Sequence, residues 1–401
     1  MHSLLVRSLS IFTFCWIVSG CSTPERLISN EKLNSEFGNY INSYENDLTK
    51  AASKSTARIY DEYVSNDKQT YDILVLSGGG EFGAFGAGFL QGWGNVNSDG
   101  MERPIFDSVS GVSTGALIAP FAFVGTEESY SEIVSLYSNP EKDFIVPNSV
   151  FSVLGGTEAF YDASVLHRRI ANSITPTLVS GLATGDQDNR VLLVGATNID
   201  YGLMRVWDLT DIANNNSFDT AKESIVDKLT ASSALPGAFP PVEINDFLYV
   251  DGGVSMQVVS GVSDRQWLYN SDARGLEFVE EHKPITLRIW VIINNKLMLE
   301  PEVTQRIWSD IASRSLFAIM RNSTLQTILD IETFSQMINQ NKLFDVEMRY
   351  VAIPQSFQIP ETENMFDKEK MLDLVELGRK MGEAPGSWKT RALLPGAPFE
   401  N

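Results

Sequence analysis

A Gly-Val-Ser-Thr-Gly pentapeptide at 111–115 stands between a short apolar run and a helix-forming stretch of small residues. The order dictates a strand, a sharp corner and a helix. Residues 106–110 are expected as the strand, Ser113 as the apex and 114–123 as the helix. Glycines flank the corner because side chains there would collide with neighbouring backbone, and the serine between them projects its hydroxyl outward. A nucleophile for acyl transfer needs that exposure. The pentapeptide alone is a common pattern, so its weight depends on what accompanies it.

Upstream, 72–76 (DILVL) reads as a short buried parallel strand, followed at once by Ser77-Gly78-Gly79-Gly80-Glu81-Phe82-Gly83. Three consecutive glycines expose a row of backbone N–H groups, and the helix beyond adds the partial positive charge of its N-terminus. Such a loop can hold an anion, and in acyl transfer the anion is the tetrahedral oxyanion. The helix is expected over Gly83–Trp93, with Phe85, Phe89 and Trp93 as its buried stripe. Gly86, Gly88 and Gly92 each cost about 1 kcal/mol of helix propensity, and close packing against the sheet is the expected offset. The loop also fits the dinucleotide fingerprint through Gly78, Gly80 and Gly83, with Asp99 as the ribose acid. Asp99 lies in a polar turn rather than at a strand end, which argues against that alternative. A third possibility is a glycine turn that merely lets a helix approach a strand. No Gly-Lys-Ser/Thr closes the loop, so it is not a P-loop.

A third element comprises Ala231-Ser232-Ser233-Ala234-Leu235-Pro236-Gly237-Ala238-Phe239-Pro240-Pro241 and then Tyr249-Val250-Asp251-Gly252-Gly253. With these segments in the order given, the chain resembles the patatin-like phospholipases over roughly 70–255. The resemblance implies a three-layer α/β/α fold with a mainly parallel central sheet. It assigns Ser113 as nucleophile, Asp251 as its partner and Gly78, Gly79 and Gly80 as the oxyanion loop, with the Thr114 N–H joining them. The implied activity is lipid acyl hydrolysis at the carboxylic esters of phospholipids or lysophospholipids, through an acyl-enzyme and without a cofactor. One position departs from the family pattern: Phe82 stands where a basic residue is usual.

The chain has three histidines, His2, His167 and His282, none in an obvious catalytic setting. The order Ser113, Asp251, His282 nevertheless matches an α/β-hydrolase triad, which stays open as an alternative. In the dyad Asp251 takes the serine proton itself, although a free aspartate, with a pKa of about 3.9, is a poor base. Partial burial between Val250 and Gly252 would raise its basicity. A non-catalytic envelope protein that keeps the fold is the alternative from a different class.

The N-terminus reads as a leader over 1–20. Arg7 precedes an apolar core at 9–18, too short to span a bilayer, and Ser19-Gly20 precede Cys21. Val18-Ser19-Gly20-Cys21 resembles the lipobox of bacterial lipoproteins, with Cys21 lipidated and Ser22 favouring the outer membrane. The other cysteine, Cys15, lies in the leader core, so the mature chain would carry no disulfide. Stability then rests on a core that 43% hydrophobic residues readily supply. A net charge of −20 opposes nucleic acid and strongly anionic membranes as partners, leaving attachment to the acyl chains. Asp186 and Asp188 in one turn are too few for a metal site, and none is expected.

Residues 21–69 are polar, with weak helical periodicity at 40–63, and read as a tether plus a peripheral helix. Beyond the strand near Tyr249 come a strand at 285–293, a helical region over 302–341, a strand at 346–353 and a helix at 367–381. They alternate like the preceding elements, giving one α/β domain over 70–390.

Overall fold

The structure is a computed structural model that describes residues 26, 28–66, 68–140, 161, 164–257, 284–340, 344–360 and 366–391. The leader, Cys21 and His282 therefore lie outside the described residues.

Among the described residues, the helices are α1 (Asn30–Asn66), α2 (Gly83–Trp93), α3 (Thr114–Val124), α4 (Glu127–Ser138) and α5 (Ser164–Ser173). They continue with α6 (Pro176–Gln187), α7 (Leu209–Asn215), α8 (Phe218–Ser232), α9 (Trp308–Ile338) and α10 (Lys368–Gly382). The strands are β1 (Thr70–Leu76), β2 (Ser108–Val112), β3 (Val191–Asn198), β4 (Leu203–Asp208), β5 (Val242–Ile244), β6 (Phe247–Asp251), β7 (Ile285–Lys296) and β8 (Phe344–Ile353). In the sheet β3, β2, β1, β7 and β8 run parallel, while β4, β5 and β6 join antiparallel at the β3 side.

Both faces of the parallel strands are covered, which is why they read as near-continuous apolar runs. Alternate residues serve opposite cores. Leu74, Leu76, Trp290 and Ile292 pack beneath α2, α3 and α10. Ile73, Val75, Ile289 and Val291 pack with Ile59 and Tyr63 of α1 and Ile328 and Ile331 of α9. The mixed α/β architecture with a mostly parallel sheet between helices is the one the resemblance implied.

Three local expectations change in detail. The strand before the pentapeptide starts at Ser108 rather than 106, and it takes in Gly111 and Val112. Its start is set by Asp107, whose N–H donates to the Asp72 carbonyl at 2.8 Å and whose carboxylate accepts the Asp72 N–H at 2.9 Å. Gly88 and Gly92 pack not on the sheet but on α10, where added Cβ atoms would overlap the carbonyls of Val375 and Arg379. The fit is reciprocal, because Gly378 and Gly382 of α10 lie equally close to the Phe85 and Phe89 carbonyls.

The third change concerns α1, a 37-residue helix that lays Leu48 and Ala51 against Val112, Val191 and Val206. Lys54 pairs with Asp186 and, at 2.8 Å, with Asp208, while Arg58 pairs with Asp107 at 2.9 Å. Of the two carboxylates weighed as a cation site, Asp186 is thus engaged by α1, which reaches Asp188 only at its backbone carbonyl.

Candidate active site

Pairing on β3 brings the two central residues together. Leu193–Asn198 pairs with β4 on one edge of β3, so β2 and β6 must both lie on the other edge. There β2 ends with Val112 opposite Gly195, and the antiparallel β6 ends with Asp251 opposite Ala196. The strands meet end to end at adjacent β3 residues. Ser113, one residue past β2, therefore faces Asp251 across the junction, at the carboxyl ends of the parallel strands where open α/β sheets bind ligands.

Ser113 is held at φ 56°, ψ −128°, a conformation that non-glycine residues rarely adopt and that costs roughly 1–3 kcal/mol. Several contacts impose it. The Ser113 N–H donates to Ser232 Oγ at 2.9 Å, and Ser232 donates in turn to the Gly195 carbonyl at 2.6 Å. Gly111 and Gly115 permit the corner as expected: a Cβ on the first would overlap the Gly115 carbonyl, and one on the second the Leu76 and Ser77 carbonyls.

Asp251 is 1% exposed. Its carboxylate accepts the Gly253 N–H at 2.8 Å, and the Ser113 side chain is close enough to act on its pKa. Its own backbone is fixed by the Ala234 carbonyl and the Thr197 hydroxyl. Burial pushes its pKa up to about 6, while the Ser113 side chain and the Gly253 N–H pull the other way. A hydroxyl held against a carboxylate tuned this way can pass its proton on contact.

The glycine loop leaves β1 beside this pair and is braced by β7. Asn294 donates its N–H to Ser77 Oγ at 2.9 Å and its amide to the Ser77 carbonyl at 2.8 Å. Its own carbonyl lies so close to Gly79 that a Cβ there would overlap it. Of the four expected oxyanion donors, Gly78 is engaged elsewhere, giving its N–H to the Gln257 carbonyl at 3.2 Å. Gly79, Gly80 and Thr114 line the cavity beside Ser113 and Asp251, and Thr114 opens α3, where the first amides lack intrahelical acceptors.

That cavity, of about 500 Å³, is walled by Leu117, Ile133, Leu136, Ile170, Phe239 and Phe317, among others. Its size is typical of small-molecule sites. None of the described histidines lines it. His167 is half-exposed on α5, 3.9 Å from Asp227. Asp99 sits exposed in a turn, with no strand end to place it against a ribose.

Residue types and spacing gave no role to Ser232, Asn294 or Gln257. The structure adds one more neighbour of the loop, Lys370. Its ammonium lies 5.4 Å from the centre of the Phe82 ring and pairs with Glu81 at 2.6 Å. A cation thus stands beside the position where the family pattern puts one, delivered by α10.

The family model for patatin-like phospholipases matches residues 74–259, the span from β1 through Asp251 to the turn beyond it. The chain carries a patatin-like phospholipase domain. That domain supports lipid acyl hydrolysis as the general type of activity. Among solved structures it is similar to VipD from Legionella pneumophila, at 14% identity over 80% of this chain and 68% of that one, with a TM-score of 0.35. No curated protein matches.

The raised Asp251 pKa has a consequence for stability. A carboxyl whose folded pKa lies above its unfolded value contributes stability that is complete below about pH 4 and is lost as pH rises through about 6. At neutral pH the ionised Asp251 therefore costs on the order of 2–3 kcal/mol. Asp251→Asn should accordingly melt above the wild type at pH 8, with the difference shrinking toward pH 4. Thermal unfolding of both proteins across that range checks this. A variant less stable than wild type at pH 8 would contradict the burial cost.

Proposed function

We propose that the protein hydrolyses carboxylic esters of phospholipids or lysophospholipids through a Ser113–Asp251 dyad. The observation that carries the reading is the placement of Ser113, at the strained elbow after β2, against the buried Asp251 carboxylate at the end of β6, whose pKa is pushed up to about 6. In water that carboxylate would be too weak a base; in this site its proton affinity lies near the working range.

Ser113 Oγ attacks the ester carbonyl while its proton passes to Asp251. The carbonyl electrons move onto oxygen, where the N–H groups of Gly79, Gly80 and Thr114 meet the charge. Collapse expels the alcohol, which takes the proton back from Asp251 and leaves an acyl-Ser113. Water then attacks, again giving its proton to Asp251, and collapse frees the fatty acid as Ser113 Oγ leaves and takes that proton back.

Apolar walls support an acyl chain as the group held. Phe317 lines the cavity, and Trp308 and Ile311 stand exposed farther along the same helix, an apolar rim suited to lipid aggregates. No helix of the described residues is long and apolar enough to cross a membrane. Attachment is proposed to come from acyl chains on Cys21, placing the protein in the bacterial outer membrane.

Two experiments test these readings. With a short-chain aryl ester, Asp251→Asn should lose at least about 10³-fold in kcat/KM, while His167→Ala and His282→Ala each keep most of it. Wild-type kcat/KM should fall as pH drops through about 6, because the base must be unprotonated. An inactive but folded His282→Ala would replace the dyad by a triad. For the anchor, Cys21→Ala should lose metabolic palmitate label and leave the membrane fraction; unchanged membrane retention without label would sink it.

A further inference from the structure

Among the described residues, Arg169, Lys296, Arg314 and Arg321 line the cavity, and the first three have partners within the protein. Arg169 donates to the carbonyls of Leu136 and Asn139. Lys296 pairs with Glu300 and donates to the Phe357 carbonyl at 2.6 Å. Arg314 pairs with Glu302 at 3.1 Å and donates to the Glu300 carbonyl at 2.6 Å. Arg321 differs. It has no carboxylate partner among the described residues, its Nε is buried without any hydrogen bond, and its one bond is from Nη1 to Asn322 Oδ1 at 3.1 Å. Burial alone lowers its pKa, with no neighbouring charge acting on it.

A guanidinium partly buried in an apolar wall, with its Nε unbonded, is left with donors free to take an anion. Its position says which anion. Arg321 lies on α9 between Met320, whose methyl packs against Gly253, and Ser323, whose hydroxyl accepts the Gln257 N–H at 3.3 Å. Gly253 in turn donates to Asp251, and Gln257 holds Gly78. The segment carrying Arg321 is thus bound to both halves of the proposed reacting centre.

We propose that Arg321 binds the phosphate of the substrate, making the cavity selective for phosphate-bearing acyl esters over neutral glycerides. A guanidinium matches phosphate by charge-assisted, bidentate hydrogen bonding. A neutral glyceride offers nothing to pair with it and leaves the charge stranded. The inference rests on the ester-hydrolase reading of Ser113 and Asp251.

The test compares wild type, Arg321→Met and Arg321→Lys on a lysophospholipid and on a monoacylglycerol of the same acyl chain. The ratio of kcat/KM, phosphate ester over neutral ester, should fall about 10–100-fold in Arg321→Met and recover in part in Arg321→Lys. Arg321→Met should melt no lower than wild type, since it removes a partly buried charge that has no carboxylate partner among the described residues. Equal losses on both substrates with a lowered melting temperature would make Arg321 a structural residue and overturn the proposal. An unmoved ratio with relief of inhibition by free fatty acid would assign the anion to the product carboxylate and overturn it as well. Binding of an alkylphosphocholine, which has the phosphate but no ester, separates this inference from the hydrolase reading. If wild type hydrolyses neither ester yet binds the probe at least about tenfold tighter than Arg321→Met, the dyad reading fails and the phosphate site stands. Equal binding by both proteins overturns the site whatever the hydrolysis.

Discussion

The rest of the site depends on keeping the Asp251 carboxylate out of water beside Ser113 while it accepts one backbone amide. Water would return it to an ordinary weak base, and a nearby cation would hold it lower still. Both are excluded by how β6 arrives. It runs antiparallel to β3, stops opposite Ala196, and closes under Ala234 and Thr197. Burial of a charge is unfavourable to folding, so the surrounding structure must offset it.

The elbow adds a second cost in the backbone of Ser113. Ser232 serves both needs, accepting from the Ser113 N–H and donating to the Gly195 carbonyl, so one side chain ties β2, β3 and the end of α8 together. From the far side Asn294 does the equivalent work for the glycine loop, fixing Ser77 through both its main chain and its amide. Rigid elements hold these braces in turn. The α2–α10 pair meets at backbone contact through Gly88, Gly92, Gly378 and Gly382, and α1 clamps the opposite face through Lys54 and Arg58.

What could be read from the sequence is what local chemistry encodes. Gly83–Trp93 was legible to the residue because its aromatic stripe and the glycine loop before it are contiguous. Ser113 and Asp251 were legible through the resemblance carried by their flanking residues, and the helix expected at 367–381 lies at Lys368–Gly382 behind an Asp367 cap. Long-range facts were not. The role of Ser232 depends on an amide 119 residues away, and Gly78 loses its N–H to Gln257 through a contact that no motif records. Lys370 reaches Glu81 and Phe82 from the other end of the chain, so the departure at Phe82 looked larger in sequence than it is in space. The full length of α1 was hidden because its polar surface is satisfied by distant carboxylates such as Asp186, Asp208 and Asp107.

A hydroxyl activated by a buried carboxylate should react as a nucleophile even without a lipid present, and a fluorophosphonate probe reads that reactivity directly. Intact-mass and peptide analysis after labelling should find one adduct, on Ser113, with a rate that rises as pH is raised through about 6. Folded Asp251→Asn should stay unlabelled over the same time. Labelling of Asp251→Asn at the wild-type rate, or no adduct on Ser113 in the wild type, would contradict the claim that Asp251 makes Ser113 a nucleophile.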